Sequence, residues 1–359
     1  MSGRQLGDSA RTHLIGRLDD LAASGVSGTV LLAEAGTPVV QHCLGLADRA
    51  NGVPITPRTR FQTASVTKMF TAAAVLDQVA RGRVTVHTPV VDVVPSDRRP
   101  RHLSTDVTVH HLLCHTSGIA DYCEEDESLP AYCADYGALW RALPPARVER
   151  PADFLTLYGE LPAYCPPGQI WRYSNAGYVL LGELLEQLTG QPCATVIEQR
   201  VLRRAGMTAS AFDRSDEPRA DSATHYRPSG RTNVHSVPVI GGSDGGCVCT
   251  AADLVRFCRA LADGTLLGEL TTSATQRQAA IEDGWSYGYG LYVYPDERWG
   301  HGGGDPGVSA IVNHWPEGDL TLVALCNVEE VDGRNPAVAL RDAVLAVMSE
   351  DPSGPGRAG

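Results

Sequence analysis

The stretch FQTASVTKMFTAAAV, residues 61–75, contains a tetrad that begins at Ser65 and ends at Lys68. The absence of proline and glycine between Ser65 and Gly82, together with a broad apolar surface, predicts a helix buried inside a domain. We expect Thr63 to cap this helix and Gly82 to end it. A lysine three residues after a serine lies on the same helical face, so a neutral amine there can take the proton of the hydroxyl. By itself the tetrad is weak, because a surface serine and a solvated lysine often have this spacing by chance.

Two further motifs follow in the chain. The triplet Tyr173-Ser174-Asn175 lies in PPGQIWRYSNAGYVLLGELLEQLTG, between a Pro-Gly loop and a helix predicted over 178–188. The second motif, HGGG, begins at His301 and precedes a β-rich tail. Successive glycines allow a strand edge to approach a ligand without side-chain interference. Together the three motifs predict covalent acyl-enzyme chemistry.

The strands are predicted at both ends of the chain and the helices between them. A hairpin is expected over 26–49, with its turn around Gly36-Thr37-Pro38, and the tail strands are expected at 288–294, 307–315 and 320–328, followed by a helix over 336–348. The pattern predicts an α+β fold, in which an antiparallel β-sheet is flanked by terminal helices and carries a large inserted all-α region. The predicted parts are a sheet region (1–63 and 271–350), a mainly helical region (64–270) and a disordered tail (351–359). We expect the active site in the cleft between the first two parts.

The ordered motifs S-x-x-K, Y-x-N and H-x-G resemble those of the class C β-lactamase and penicillin-binding-protein superfamily of serine hydrolases. The histidine of the third motif and the YSNAGY context are similar to its esterase-like and D-aminopeptidase-like members. The resemblance covers roughly residues 12–348 and includes VTVHHLLCHTSGI, GGCVCTAADLVRF and GHGGGDPGVSAIV. It implies the β-lactamase/transpeptidase-like fold, which agrees with the predicted α+β pattern.

The resemblance also implies roles for individual residues. The catalytic residues would be Ser65, Lys68 and Tyr173, the substrate-binding or orienting residues Asn175, His301 and Gly303, and the oxyanion hole the backbone N–H groups of Ser65 and Gly304. Tyr173 would act as a general base if Lys68 lowers the pKa of its phenol. Which of Lys68 and Tyr173 is the main base stays open, and His301 can be cationic or neutral near pH 7.

The segment DYCEEDESLPAYCADY, residues 121–136, contains four consecutive acids interleaved with tyrosines. A solvated charge run is the usual meaning of such a segment. The alternative hypothesis is a lid that includes Tyr122, Glu124, Glu125 and Tyr132 and steers a cationic or amine-bearing substrate toward the site.

Composition narrows the function classes. The chain has 359 residues and a formal net charge of -12, which argues against nucleic-acid partners and against binding to anionic membranes. No apolar run reaches the ~20 residues of a membrane span, and the N-terminus has the spacing of a packed helix rather than a secretion signal. We therefore expect a cytoplasmic protein, and both a monomer and a homodimer are compatible with the sequence.

No cofactor or metal is predicted. Ten cysteines form no CxxC framework, and we expect free thiols, with a bridge between Cys123 and Cys133 as the alternative if the protein is oxidised. In HHLLCH, residues 110–115, His111 and His115 have the i, i+4 spacing of metal ligands. We favour structural histidines, since no second ligand cluster follows.

The leading functional hypothesis is a serine hydrolase that cleaves a small ester or amide through an acyl-Ser65 intermediate. One alternative is a cytoplasmic biosynthetic acyltransferase that passes the same acyl group to an alcohol or amine acceptor. A β-lactamase or D,D-peptidase is less favoured, because the sequence has no export signal and has His301 where many relatives have lysine. A non-catalytic acyl-binding sensor is the remaining alternative.

Overall fold

The computed structural model describes residues 7–129, 132, 133 and 136–350, so the predicted disordered tail lies outside the described residues. The α-helices are α1 Asp8–Ala23, α2 Thr67–Ala80, α3 Val109–Leu113, α4 Tyr136–Ala142, α5 Leu155–Tyr158, α6 Asn175–Thr189, α7 Cys193–Ile197, α8 Ala251–Ala262, α9 Leu270–Thr275 and α10 Pro336–Glu350. The strands are β1 Gly28–Glu34, β2 Thr37–Leu44, β3 Leu46–Asp48, β4 Val53–Pro54, β5 Phe61–Gln62, β6 Val248–Cys249, β7 Ala279–Ala280, β8 Ser286–Tyr287, β9 Tyr292–Val293, β10 Trp299–Asp305, β11 Val308–Trp315 and β12 Leu320–Cys326.

The main sheet is antiparallel and joins strands from both ends of the chain. Its order is β2-β1-β12-β11-β10-β9-β8-β7. Strand β1 pairs with β12 from Gly28 opposite Cys326 to Glu34 opposite Leu320. A separate pair, β5 and β6, ties the residues just before the serine tetrad to the segment that leads into α8. The α+β fold predicted from the sequence is confirmed.

Two apolar cores lie on opposite faces of the sheet. Val30 and Leu32 point to one face, where α1 and α10 pack, while Leu31 and Ala33 point to the other, where α2, α6 and α8 pack. Alternate side chains of a strand point to opposite faces, so a strand covered on both sides is apolar at nearly every position. Full burial of each large aliphatic side chain stabilises the fold by roughly 1.5–3 kcal/mol. The core that contains Leu31 and Ala33 fixes the position of α2, the helix that carries Lys68.

The start of α2 differs from the prediction. A short 3₁₀ turn, Ala64–Val66, precedes the helix, so Ser65 lies in this turn rather than in the first α-helical turn. Thr63 does not cap the helix, because its hydroxyl donates to the backbone oxygen of Cys247 at 2.8 Å. Ala64 has a φ of 46°, a left-handed conformation that is strained for a residue with a Cβ atom. The residue before Ser65 is thus held in place by its surroundings.

The other boundaries agree with the prediction at most positions. Two strands, β11 and β12, and the helix α10 lie where they are expected. The hairpin formed by β1 and β2 turns at Ala35-Gly36, which is earlier than predicted. The strand predicted over 288–294 is wrong, because only Tyr292–Val293 of it is extended. Gly290 has a φ of 81° and forms a turn on α2, where an added Cβ would lie 2.7 Å from the backbone oxygen of Lys68. The turn at Gly290 therefore packs against the backbone of Lys68.

Candidate active site

Lys68 lies at the centre of a hydrogen-bond network in the fold. Its Nζ is 3.0 Å from Ser65 Oγ, 2.8 Å from Asn175 Oδ1 and 2.9 Å from the backbone oxygen of Asp244. The side chain is fully buried. Burial lowers the pKa of Lys68, and the carboxylates of Asp244 and Asp121 oppose this effect. The amide and carbonyl oxygens can only accept, so a neutral amine would use its two N–H groups on them and keep its lone pair for the hydroxyl proton of Ser65.

Asp121 determines which way the Asn175 amide points. Its Oδ2 accepts hydrogen bonds from the backbone N and from Nδ2 of Asn175, both at 3.0 Å, and its Oδ1 accepts from the backbone N of Ala176 at 2.8 Å. With Nδ2 bound to a carboxylate, Oδ1 of Asn175 must face Lys68. Burial raises the pKa of Asp121 to about 7, whereas the N–H donors of Asn175 and Ala176 favour its ionised form.

The start of α6 brings Tyr173 to the same site. Ser174 caps the helix, since its hydroxyl accepts from the backbone N of Gly177 at 3.1 Å, so the helix begins at Asn175, earlier than predicted. The ring of Tyr173 lies 4.8 Å from Lys68 Nζ and 4.5 Å from the ring of His115, centre to centre. The backbone N of Ser174 donates to Nδ1 of His115 at 3.1 Å. His115 therefore holds the loop that presents Tyr173.

The protonation of Tyr173 differs from the expectation. Burial raises the pKa of its phenol well above the usual value, the neighbouring Tyr292 raises it further, and an interaction with the Ser65 hydroxyl lowers it. Burial thus favours the protonated phenol, whereas the general-base role was expected only if Lys68 lowers the pKa of Tyr173. A protonated phenol beside Ser65 can donate a hydrogen bond or a proton, and this leaves Lys68 as the better acceptor of the serine proton.

His301 is buried in strand β10. Its Nδ1 donates to the backbone oxygen of Gly302 at 2.5 Å, so its Nε2 accepts from the hydroxyl of Tyr287, at 2.9 Å. Burial lowers the pKa of His301 to about 3, and Lys68 contributes to this shift. Of the two states left open by the sequence, burial favours the neutral one. Because both ring nitrogens are bound to the protein, His301 is poorly suited to bind an anionic substrate group.

The glycines of β10 bring this strand against the serine turn. A Cβ atom added to Gly303 would lie 2.2 Å from the backbone oxygen of Thr63, so only glycine allows the strand to pass this close. A Cβ atom added to Gly304 would meet nothing within 4 Å. Gly304 and Ser65 line the same cavity, which has a volume of about 930 Å³. A cavity of this size accommodates a small organic molecule.

Only part of the proposed lid faces the cavity. Tyr122 is buried in its wall and donates to Asp244 Oδ2 at 2.5 Å, and Glu125 also lines it. Glu124 is buried instead near Arg172, at 3.8 Å, which is a correction to the interpretation of a fully solvated charge run. Tyr132 is exposed and donates to Glu127 at 3.3 Å. Tyr122 and Glu125 are therefore the two members placed to influence a ligand.

The histidines of HHLLCH bind backbone and side-chain groups of the fold. His111 Nδ1 accepts from the backbone N of Thr108 at 3.1 Å, and His115 has the contacts given above. In the part of the chain that the structure describes, no group of three histidine, cysteine, aspartate or glutamate side chains could hold a metal ion. Cys123 and Cys133 are both free thiols.

Sequence reasoning missed Asp121, Asp244 and Asp305, which surround the tetrad from three different segments. Asp121 follows the HTSG turn, Asp244 lies between two pairs of glycines, and Asp305 directly follows HGGG. Each of these acids lies beside a recognisable motif in the sequence, and that proximity could have identified it. Their convergence on Lys68 depends on tertiary structure, which the sequence pattern did not show.

The fold and the Ser-Lys-Tyr arrangement define a class of serine-dependent acyl-transfer enzymes. The Beta-lactamase family model matches residues 12–346, and the chain belongs to this family. A penicillin-binding protein from Bacillus halodurans, known from a crystal structure, is 34% identical, with a TM-score of 0.84 over 93% of this chain and 100% of its own.

Two curated relatives are enzymes by name. Esterase EstB of Burkholderia gladioli is 34% identical over 195 residues, which are 52% of this chain and 47% of EstB. A D-aminopeptidase of Brucella anthropi is 26% identical over 322 residues, which are 85% of this chain and 56% of that protein. The protein is thus an enzyme of the β-lactamase-like serine hydrolase superfamily. Among the described helices, none has the length and apolar character needed to cross a membrane.

Proposed function

We propose that the protein cleaves small esters or amides through an acyl intermediate on Ser65. The observation that carries this proposal is the Ser65–Lys68 contact of 3.0 Å, in which the lysine is buried and its other two partners are acceptors only. Burial favours the neutral amine, which is the form that can act as a base. The contact lies at the wall of a cavity of about 930 Å³ that can hold the substrate.

In the proposed mechanism, Ser65 Oγ attacks the substrate carbonyl carbon while its proton passes to Lys68 Nζ. The negative charge that develops on the carbonyl oxygen is stabilised by the backbone N–H groups of Ser65 and Gly304. The leaving group departs with a proton supplied by Lys68, either directly or through the hydroxyl of Tyr173. Water then attacks the carbonyl carbon of the acyl-Ser65 ester while one of its protons passes to Lys68 Nζ, and Ser65 Oγ takes up that proton as it leaves and the acid is released. Asn175 keeps Lys68 oriented in both halves of the reaction.

The substrate range has support from the named relatives. EstB is called an esterase and the Brucella enzyme a D-aminopeptidase, so ester and amide cleavage are the reactions to test first. The neutral His301 does not favour a substrate recognised through a carboxylate, and β-lactamase or D,D-peptidase activity stays the less favoured alternative. The cytoplasmic location, the oligomeric state and the sensor alternative stay as predicted from the sequence.

The acyltransferase alternative uses the same intermediate and differs only in the acceptor. Glu125, Asp244 and Asp305 line the cavity, and their carboxyl groups would attract an amine acceptor, which is the observation that favours this alternative. Adding hydroxylamine or a primary amine during turnover tests this alternative, because an acyltransferase would form the amide in preference to the acid.

The decisive experiment measures p-nitrophenol release from p-nitrophenyl acetate and butyrate, with intact-mass detection of the acyl adduct. We expect Ser65→Ala to lose the adduct and most turnover. Ser215→Ala, which changes an exposed serine at the rim of the same cavity, is the matched control and should keep both. Full activity of Ser65→Ala without an adduct on the wild type would contradict the mechanism.

A further inference from the structure

The side chain of Gln62 lies in the cavity wall beside the serine turn. Gln62 is the second residue of β5 and comes three residues before Ser65, and both residues line the cavity. Three residues of chain span at most about 10 Å, so the two side chains can contact the same small ligand. In the pair formed by β5 and β6, Gln62 lies opposite Val248. This pairing fixes the position of Gln62 relative to the nucleophile.

Asn233 determines which way the Gln62 amide points. Nδ2 of Asn233 donates to the backbone oxygen of Pro306 at 2.9 Å and to Oε1 of Gln62 at 2.7 Å. Because a backbone oxygen can only accept, the Pro306 carbonyl requires the nitrogen of the Asn233 amide on its side. That nitrogen can only donate, so the atom of Gln62 that faces it is the oxygen.

His225 holds the backbones of both residues. The backbone N of Gln62 donates to Nε2 of His225 at 3.2 Å, and the backbone N of Asn233 donates to the backbone oxygen of His225 at 3.1 Å. Burial lowers the pKa of His225 to about 3, which favours the neutral ring whose Nε2 can accept. Gln62 and Asn233 are thus held through main chain and side chain, and a group held in this way loses little freedom when a ligand binds.

The nitrogen of the Gln62 amide faces the cavity without a partner. Within the described residues, Nε2 of Gln62 donates to no protein atom. Some polar atoms without a partner are enclosed by the fold, such as Oδ1 of Asp244, but Nε2 of Gln62 is not one of them. Because Gln62 is half-buried and lines the cavity, this nitrogen keeps its accessible surface there. The fold therefore offers an oriented N–H donor to a ligand.

From this arrangement we infer that Gln62 determines substrate specificity by donating a hydrogen bond to an uncharged oxygen of the substrate, and that Asn233 is its positioning residue. The inference rests on the proposed function and adds a substrate class to it, namely esters or amides with an ether, hydroxyl or carbonyl oxygen a few atoms from the scissile carbonyl. An anionic oxygen is disfavoured, since Glu125, Glu329 and Glu330 line the same cavity. An apolar group at this place would exclude water and leave Nε2 without any partner.

The test compares substrates in which one ether oxygen replaces one methylene group. p-Nitrophenyl 3-methoxypropanoate is paired with the pentanoate, and p-nitrophenyl 4-methoxybutanoate with the hexanoate, so that the oxygen lies at two distances from the carbonyl. 2-Methoxyethyl butyrate is paired with butyl butyrate to test the leaving half. The measured quantity is the ratio of kcat/KM within a pair, which does not depend on the folded fraction of a variant.

Gln62→Met keeps the length of the side chain and removes the donor. We expect it to lower the ratio of the methoxy to the methylene substrate by about three- to tenfold in at least one pair, as for one hydrogen bond between neutral groups. The intrinsic reactivities of the substrates are the same for both enzymes and cancel in this comparison. If Gln62→Met leaves the ratio unchanged in all three pairs, the inference is overturned.

Asn233→Asp tests the positioning without changing residue 62. A carboxylate only accepts, so the Gln62 amide should turn Nε2 toward it and present Oε1 to the cavity, and the ratio should fall as in Gln62→Met. Asn335→Asp is the matched control, because it adds the same charge at the same cavity and keeps an oxygen for the backbone N of Val338. It should keep the wild-type ratio. A wild-type ratio in Asn233→Asp, or an equal fall in Asn335→Asp, would overturn the positioning role.

The acyl adduct separates this inference from the proposed mechanism. The acyl group of p-nitrophenyl butyrate has no oxygen besides that of the scissile carbonyl, so both the wild type and Gln62→Met should form the acyl-Ser65 adduct with it. Absence of the adduct from the wild type would show failure of the proposed function. An adduct in both proteins, together with unchanged ratios, would contradict the role of Gln62 alone.

Discussion

Replacing Asp121 should damage both the stability of the protein and its acylation rate. The carboxylate accepts two hydrogen bonds from Asn175 and one from the backbone N of Ala176, all at 2.8–3.0 Å. Each buried donor left without a partner costs roughly 1–3 kcal/mol. Since Asn175 is only half-buried and water can replace part of the lost contacts, we expect Asp121→Ala to lower the free energy of unfolding by about 3–5 kcal/mol. Asp121→Asn keeps one accepting oxygen and should cost about 2–3 kcal/mol.

The effect on acylation follows from the orientation of Asn175. Without the carboxylate, its amide is no longer held with Oδ1 toward Lys68, and the lysine loses one of its two acceptor-only partners. Misplacement of a catalytic group by about 1 Å costs roughly a hundredfold in rate. We expect Asp121→Asn to slow formation of the acyl-Ser65 adduct by about ten- to a hundredfold, measured by rapid mixing with p-nitrophenyl butyrate, with stability measured in urea.

Asp253 provides the matched control, because it is a buried aspartate with a similar set of bonds outside the site. It accepts from the backbone N of Ala209 at 2.9 Å and from the Ser210 hydroxyl at 2.8 Å. Asp253→Asn should lower stability without changing the acylation rate of the folded fraction. The reasoning is refuted if Asp121→Asn acylates at the wild-type rate, or if Asp253→Asn is slowed as much.

Four further predictions concern the same site. Lys68→Met should slow acylation by about 10²–10⁴-fold, and the wild-type rate should rise with pH through an ionisation below the ordinary lysine value of 10.5, as a pH–rate profile would show. His301→Asn should leave the shape of that profile between pH 5 and 9 unchanged, because the pKa of this histidine is lowered to about 3; a missing inflection in the variant would contradict its neutral state. The pKa of Asp305 is raised from 3.8 to about 8, so its stabilising contribution is complete below pH 3.8 and is lost as the pH rises to about 8; relative to Asp305→Asn, the wild type should lose up to ~1.4 kcal/mol per pH unit in urea titrations across this window, and parallel curves would contradict it. Gly303→Ala should destabilise the protein by about 2–4 kcal/mol, because its Cβ would meet a backbone oxygen at 2.2 Å, whereas Gly304→Ala should leave Tm nearly unchanged; equal Tm values would refute the packing argument.

The sequence predicted those features that depend on local pattern. The apolar periodicity after Ser65 and after Asn175 was enough to place α2 and α6, and the alternation in the tail was enough for β11 and β12. The strand predicted over 288–294 failed because the chain turns at Gly290 to contact α2, and a tertiary contact of this kind leaves no periodic signal. The α+β fold was therefore predictable, while individual short strands were not.

The residues of the candidate site were likewise predictable only where they belong to a local motif. Residues that stand in ordered motifs, such as Lys68 and Asn175, could be singled out, whereas Asp121 and Asp244 stand in loops whose approach to Lys68 depends on the folded chain. Protonation was the least predictable property. The pKa of Tyr173 rises because burial outweighs every neighbouring group, and burial cannot be inferred from a motif.

The pairing of β1 with β12 has a consequence for synthesis on the ribosome. Gly28 and Cys326 are neighbours in the sheet but are separated by about 300 residues in the chain, which take about 15–60 s to translate. During that interval the nascent β1–β2 hairpin has an unpaired apolar edge, which is a typical starting point for aggregation. Both apolar cores also take side chains from β12. A chain that stops before Leu320 should therefore be insoluble or degraded rather than partly active, and productive folding should begin in the helical segment and end with this strand.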